Sequence, residues 1–241
     1  MKLKHSIWSA FTVTSAVLVH AAEVPPWPPF FSNPLTITNL YHPFVVGRVK
    51  TFEVQEGSVD AMVVDTYLPD IRIFDWSGTS VTCRTLQEME VEDGEIAEIS
   101  RNFFAQADDG SVYYFGETVD IYENGAIVGH GGSWLVGGPQ AGDPTETATA
   151  LDPTVFMPAF PEVGDVFKPE DIFPFADETD EVLKVGKTVV VSAGQFVGCI
   201  KIEESSLLSE STEIKWYAPA VGVIQVKEQG ETLELVDLLD P

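Results

Sequence analysis

The residues of this chain that could do chemistry are few in type and widely spaced. The run GHGGSW, residues 129 to 134, joins a histidine to three glycines. Backbone amides in such a run can cradle an oxyanion. Acyl-transfer chemistry of that kind also needs a nucleophile elbow of the form G-x-S-x-G, and the sequence contains none. The run therefore reads as a glycine-bent strand with His130 in a turn. His42 and His130 have no close-spaced cysteine or histidine beside them, so they lack the signature of a zinc site, and no metal or cofactor is assigned. ADDG at 107 to 110 and DETDE at 177 to 181 offer oxygens without the spaced acidic pattern of a calcium loop. They suit weak binding of surface cations. A carboxylate pair for glycoside cleavage is defined by separation in space, and among 38 acidic residues nothing selects one pair. Catalytic residues are therefore left unassigned.

What positions these residues begins with a leader that is not part of the fold. Lys2 and Lys4 precede the apolar run IWSAFTVTSAVLV, and Val19-His20-Ala21 supplies tolerated residues for cleavage after Ala21. Residues 1–21 thus read as a secretory signal peptide. Thr12, Thr14, Ser15 and His20 interrupt the run, which falls short of the roughly 20 apolar residues of a membrane span, and no later segment qualifies. The expected location is secreted or periplasmic. Loss of Lys2 and Lys4 with the leader takes the formal net charge from −25 to −27. So acidic a chain disfavours nucleic acid and anionic membrane surfaces as partners. Export also places Cys83 and Cys199, the two cysteines, in an oxidising compartment, where a disulfide between them is expected.

Residues 22–34 follow as a Pro-rich extended segment, with five prolines in VPPWPPFFSNP excluding helix and inner strand. Residues 35–241 read as a single β-rich domain. In TSVTCRTLQEMEV, Val81, Cys83, Thr85, Met89 and Val91 alternate with Thr82, Arg84, Glu88 and Glu90, the period of a half-buried strand. EDGE at 92 to 95, ADDGSV at 107 to 112, YENGAI at 122 to 127 and KEQGET at 227 to 232 carry hairpin-turn chemistry. Turns of this kind between alternating runs predict an antiparallel meander. Residues 137–165, rich in Gly, Pro and Thr, read as a long surface loop, and helices are short at most. The predicted class is all-β, a strongly curved sheet or open barrel that hides its edges by curling on itself.

Near the C-terminus, Ile214, Trp216 and Ala218 alternate with Glu213, Lys215 and Tyr217 up to Pro219, and VIQVKE returns as the partner strand. This hairpin, WYAPAVGVIQVKE, resembles the WYAPGVGLVKE close of a group of uncharacterised secreted bacterial proteins and lipoproteins. It is similar as well to hairpins of periplasmic lipoprotein-carrier-like half-barrels. LTITNLYHPFVVGRVKTFEV (35 to 54) resembles the ITNPYFPLxPGTxFVYE opening of the same group. WSGTSVTCRTLQEMEVEDGEIAE and NFFAQADDGSVYYFGE resemble its central strands, and Gly132-Ser133-Trp134 its EGSW segment. Ala220 stands where that group has glycine and Val46 where it has proline. The resemblance implies a half-barrel fold and an exported location, and brings no chemistry with it.

These readings point to an exported acidic β-rich binding or accessory protein, more in keeping with a binder than an enzyme. An apolar or amphipathic ligand is expected on the inner face of the curved sheet, with Trp134 and Trp216 near it. The alternatives are a secreted hydrolase using a carboxylate pair and a cell-surface interaction protein without a pocket.

Overall fold

The computed structural model describes residues 27–56 and 61–241. The expected leader, residues 1–21, and residues 22–26 of the proline-rich segment lie outside the described residues. The strands in chain order are β1 (Val49–Glu56), β2 (Ala61–Trp76), β3 (Thr79–Glu92), β4 (Glu95–Gln106), β5 (Val112–Glu123), β6 (Ala126–Gly129), β7 (Trp134–Val136) and β8 (Ala148–Ala150). They continue as β9 (Thr154–Met157), β10 (Val166–Ile172), β11 (Ala176–Val191), β12 (Gly194–Ser205), β13 (Thr212–Ala218), β14 (Gly222–Glu228) and β15 (Glu231–Leu239). No helix is present among the described residues, so none there is long and apolar enough to cross a membrane.

All of these strands belong to one 15-stranded sheet, with the order β10-β11-β12-β13-β14-β15-β1-β2-β3-β4-β5-β7-β8, β6 and β9 pairing β5. The chain is therefore a mainly antiparallel meander, with one parallel pair between β7 and β8, and its two ends meet inside the sheet, where β1 pairs β15. Residues on both sides of the 137–165 segment share this sheet, and the segment itself contributes β8 and β9.

Turn chemistry explains the meander. Asp93-Gly94, Asn124-Gly125 and Gln229-Gly230 all have positive φ, as does Ser77-Gly78 between β2 and β3. Two successive positive-φ residues match the right-handed twist of the flanking strands. Curling brings β9 against β10, closing the sheet into a barrel except for one seam without a ladder. Pro169 in β10 has no amide hydrogen to offer, and the register of β10 on β11 slips between Phe167 and Glu170, as befits a strand left at an edge. Side chains bridge the seam instead: Thr154 Oγ1 donates to the Pro169 carbonyl, and Trp134 Nε1 donates to Glu170 Oε1 at 2.9 Å.

One end of the barrel is packed solid. Phe74, Phe103, Phe104, Tyr113, Phe115 and Trp134 are buried in the larger apolar cluster, and Phe31 from the proline-rich segment stacks edge-on against Trp76, Tyr113 and Phe115. A second cluster gathers Val189, Val191, Cys199, Ala218, Ile224 and Leu235.

The expected disulfide is overturned. Cys83 and Cys199 are both free and buried. Cys83 belongs to the first cluster and Cys199 to the second. β3 and β12 are separated in the sheet by β13, β14, β15, β1 and β2, so export and an even cysteine count do not bring the sulfurs together. Each thiol packs as a small apolar group, and burial pushes Cys83 well above the ordinary thiol range.

Candidate functional site

The barrel is hollow beside the large aromatic cluster, whose Tyr67, Leu86, Phe104, Tyr114 and Tyr217 form part of the cavity wall. A cavity of 560 Å³ lies between β1–β5 and β10–β15, within the range of small-molecule pockets. It continues into a mouth of 260 Å³, with which it shares Glu117, Glu170, Glu178, Glu204, Glu213 and Glu228. Glycine Gly132, Phe175 and the serine-rich link between β12 and β13 frame that mouth. Leu207 N donates to Asp177 Oδ2 at 2.9 Å, and Lys168 Nζ donates to Asp177 Oδ1 at 3.0 Å, tying this link to the β10–β11 hairpin.

The lumen wall mixes apolar and acidic side chains, with Tyr67, Leu86, Phe104, Tyr114, Phe156 and Tyr217 lining it from β2, β3, β4, β5, β9 and β13. β1, β2, β14 and β15 present Phe52, Val54, Val63, Val226 and Leu233. In addition, β3 and β4 present Glu88, Glu90 and Glu98, while β5 and β10–β13 present Glu117, Glu170, Glu178, Glu204 and Glu213. Several of these acids stand directly opposite one another across ladders. Glu90 pairs Glu98 and Glu170 pairs Glu178. Asp180 pairs Glu204, Glu204 pairs Glu213, and Glu213 pairs Glu228. Like charges directly opposite destabilise a sheet, so this belt is a cost that the fold tolerates in one place.

Two lysines enter the lumen, and both are already paired. Lys50 Nζ lies 2.9 Å from Asp65 Oδ2, with both side chains buried. Burial opposes the charge of Lys50, but Asp65 and Tyr67 still hold it above the ordinary lysine value. Lys215 sits against Glu204 and 3.6 Å from Glu213. Its burial is likewise outweighed, by Glu204 and Glu178.

The remaining acids respond to confinement. Burial, then the charges of Glu170 and Glu178, push Glu117 well above the ordinary glutamate range. Burial, then Asp65, does the same to Glu88. Burial and Glu90 push Glu98 up to about 7. Burial, with Glu204 and Glu213 against the opposing Lys215, raises Asp180 to about 7. His42 moves the other way: burial and Lys50 lower it to about 3, so it is a neutral imidazole. The His42 Nε2 and Asp65 Oδ1 atoms are buried without hydrogen-bond partners, and both residues line the cavity.

The residues singled out in the sequence fall mostly outside this lining. Trp134 is buried behind the wall and reaches the site through its bond to Glu170. Trp216 lies between Lys215 and Tyr217, which both line the cavity. Successive residues of a strand face opposite ways, and Trp216 packs against the second apolar cluster. His130 Nδ1 sits 2.8 Å from the Val119 carbonyl oxygen, in the turn expected of it. Among the described residues no three His, Cys, Asp or Glu side chains are grouped to hold a metal ion.

The sequence pattern holds for the first half of β3, where Val81, Cys83 and Thr85 are buried, and not for the second. Glu88 and Glu90, on the polar side of β3, face the lumen, whereas Val81 and Cys83, on the apolar side, are buried in the first cluster. Strict alternation distinguishes two faces without saying which one is enclosed. The signal that could have located the belt is the recurrence of acidic residues two apart in β3 and β11, as in Glu88-Met89-Glu90 and Glu178-Thr179-Asp180.

No protein-family model and no curated protein matches the chain. Among solved structures it is similar to a Bacteroides fragilis protein thought to be exported, with a YmcC-like fold, at 13% identity and a TM-score of 0.45, over 84% of this chain and 100% of that one. The functional reading rests on the lumen itself.

Proposed function

We propose that this is an exported accessory protein that holds a small amphipathic molecule in the barrel lumen. The observation that carries the reading is the mixed cavity wall, in which aliphatic and aromatic side chains such as Phe52, Val63, Leu86, Phe104, Phe156 and Leu233 stand beside a belt of carboxylates on β3–β5 and β10–β14. A ligand with one apolar and one polar end satisfies both kinds of lining at once. Phe74, Phe103, Phe115 and Trp134 pack solidly without lining the cavity, so the hollow is a local feature and not loose packing throughout. The leader expected at residues 1–21 supports export.

A carboxylate-pair hydrolase fits the site less well. Glycoside cleavage uses two carboxyls about 5–9 Å apart with distinct roles, whereas the lumen acids form a continuous belt in which no one pair stands apart.

The test is titration with N-phenyl-1-naphthylamine, an uncharged apolar probe whose fluorescence rises in a dry site. Saturable binding at one probe per chain is expected. A Val63→Trp variant that keeps its circular dichroism should lose it, because the indole fills the apolar wall. A fluorescence rise that never saturates, or one unchanged in the filled variant, contradicts lumen binding.

A further inference from the structure

We infer that the ligand of this lumen carries a cationic, amine-type group, seated among the carboxylates of the lumen, with its apolar part against the aliphatic and aromatic side chains of the same wall. The inference rests on the lumen-binding reading above and names the class of molecule that reading requires.

Three independent features point to this class. The first is the row itself. Asp180, Glu204, Glu213 and Glu228 are register partners in sequence across four neighbouring strands. Their side chains therefore meet on one face at strand spacing, and all of them but Asp180 line the cavity. The cavity's own lysines do not balance the belt, since Lys50 is taken up by Asp65 and Lys215 by Glu204 and Glu213. Glu170 and Glu178 extend the acidic surface toward the mouth.

The second feature is unmet hydrogen-bonding capacity inside the lumen. Asp65 is 3% exposed and its Oδ1 has no donor, while His42, 6% exposed, leaves Nε2 unpartnered. Buried polar atoms are ordinarily paired. A carboxylate oxygen accepts only, and Glu88, the ladder partner of Asp65, supplies a donor only while protonated, whereas an alkylammonium group has three. The neutral His42 ring can accept through the same nitrogen.

The third is the rim. Phe175 and Leu208 line the acidic mouth and are 57% and 49% exposed. Apolar side chains at the threshold, with carboxylates and apolar side chains together inside it, match a molecule that is itself both cationic and apolar. The spread of the acids along a row also suits an ammonium group, which needs no fixed coordination polyhedron, better than a metal ion, for which no three-ligand group converges among the described residues.

The experiment compares head groups on one tail. The exported protein is titrated calorimetrically at pH 7.5 with dodecylammonium, dodecyl maltoside and dodecanoate, each below its micelle concentration. Dodecylammonium is expected to bind one per chain, at least tenfold tighter than the maltoside, with dodecanoate weaker again. A Glu178→Gln, Glu204→Gln double variant should narrow the gap between dodecylammonium and the maltoside. Should that variant fail to fold, the wild-type comparison still decides. Equal binding of the three, or preference for dodecanoate, overturns the cationic assignment while leaving lumen binding standing. Multi-site dodecylammonium uptake that persists in Val63→Trp is surface adsorption and overturns it too. Absence of saturable binding by all three overturns both this inference and the reading beneath it.

Discussion

Replacing Asp180 with asparagine tests whether the acidic lumen is a standing cost to the fold. Asp180 is 1% exposed, faces Glu204 across the β11–β12 ladder, and has one oxygen without a partner. Its pKa rises from the ordinary aspartate value near 4 to about 7, chiefly through burial. At 1.36 kcal/mol per pH unit, that gap is about 4 kcal/mol. The sign follows from proton linkage. Below about pH 4 the group is protonated in both states and contributes nothing. Between that point and about 7 the unfolded chain has released its proton and the folded chain has not, so stability falls as pH rises. Above about 7 the whole cost is present. Asparagine keeps the shape and cannot ionise, although an amide in that position satisfies its hydrogen bonds imperfectly, at about 1–2 kcal/mol. The variant should therefore match the parent or fall slightly below it near pH 4, and exceed it by about 2–3 kcal/mol at pH 8. Lys215 retains Glu204 and Glu213 as partners, so no new unpaired cation offsets the gain. Urea unfolding at pH 4, 6 and 8, read by tryptophan fluorescence, measures the difference. A stability difference that is constant across this range, or one that turns against the variant at high pH, refutes the reasoning.

Two further predictions concern the frame. Ala220 has φ of 63° in the β13–β14 turn, a left-handed conformation costing a non-glycine residue about 1–2 kcal/mol. Its backbone bonds to Leu40 and Arg48 do not involve the side chain, so Ala220→Gly should stabilise the protein by about 0.5–1 kcal/mol after the entropy cost of glycine, and a loss of melting temperature would show that the methyl group packs usefully. Cys83 and Cys199, free and buried, should both react with a thiol reagent in the denatured, unreduced protein and only slowly in the folded one; recovery of no thiols on denaturation would contradict the arrangement of the two core clusters.

Local structure was the most legible part of the sequence. Asp93-Gly94 and Asn124-Gly125 announce their turns because few residue pairs tolerate two positive φ values, and such turns fix the antiparallel neighbours. From the meander and the want of helices, a curled sheet follows. What lies inside the curl does not. Met89 and Glu90 differ in hydropathy, but period two assigns them only to opposite faces, and it took the closure of β9 on β10 to enclose the glutamates. The usual preference for apolar interiors buries Val81, Cys83 and Ala218 correctly and misses that Glu88, Glu90, Glu213 and Lys215 line an enclosed lumen as well. The disulfide failed for a related reason: compartment and cysteine count say that a bond can form, whereas strand order decides whether the sulfurs meet. His42 carried no local signal of its burial, which comes from Phe104 and Phe156 packing at 4.5 Å on its ring.

The most direct test of a ligand-holding lumen is native mass spectrometry of the protein purified from its own host without detergent. The expected spectrum shows a fraction of chains carrying one small molecule, released by organic extraction, whose fragments contain an amine and an alkyl or aromatic portion. A spectrum of bare chains alone, from protein that also fails to form a one-to-one complex when dodecylammonium is added, would contradict it.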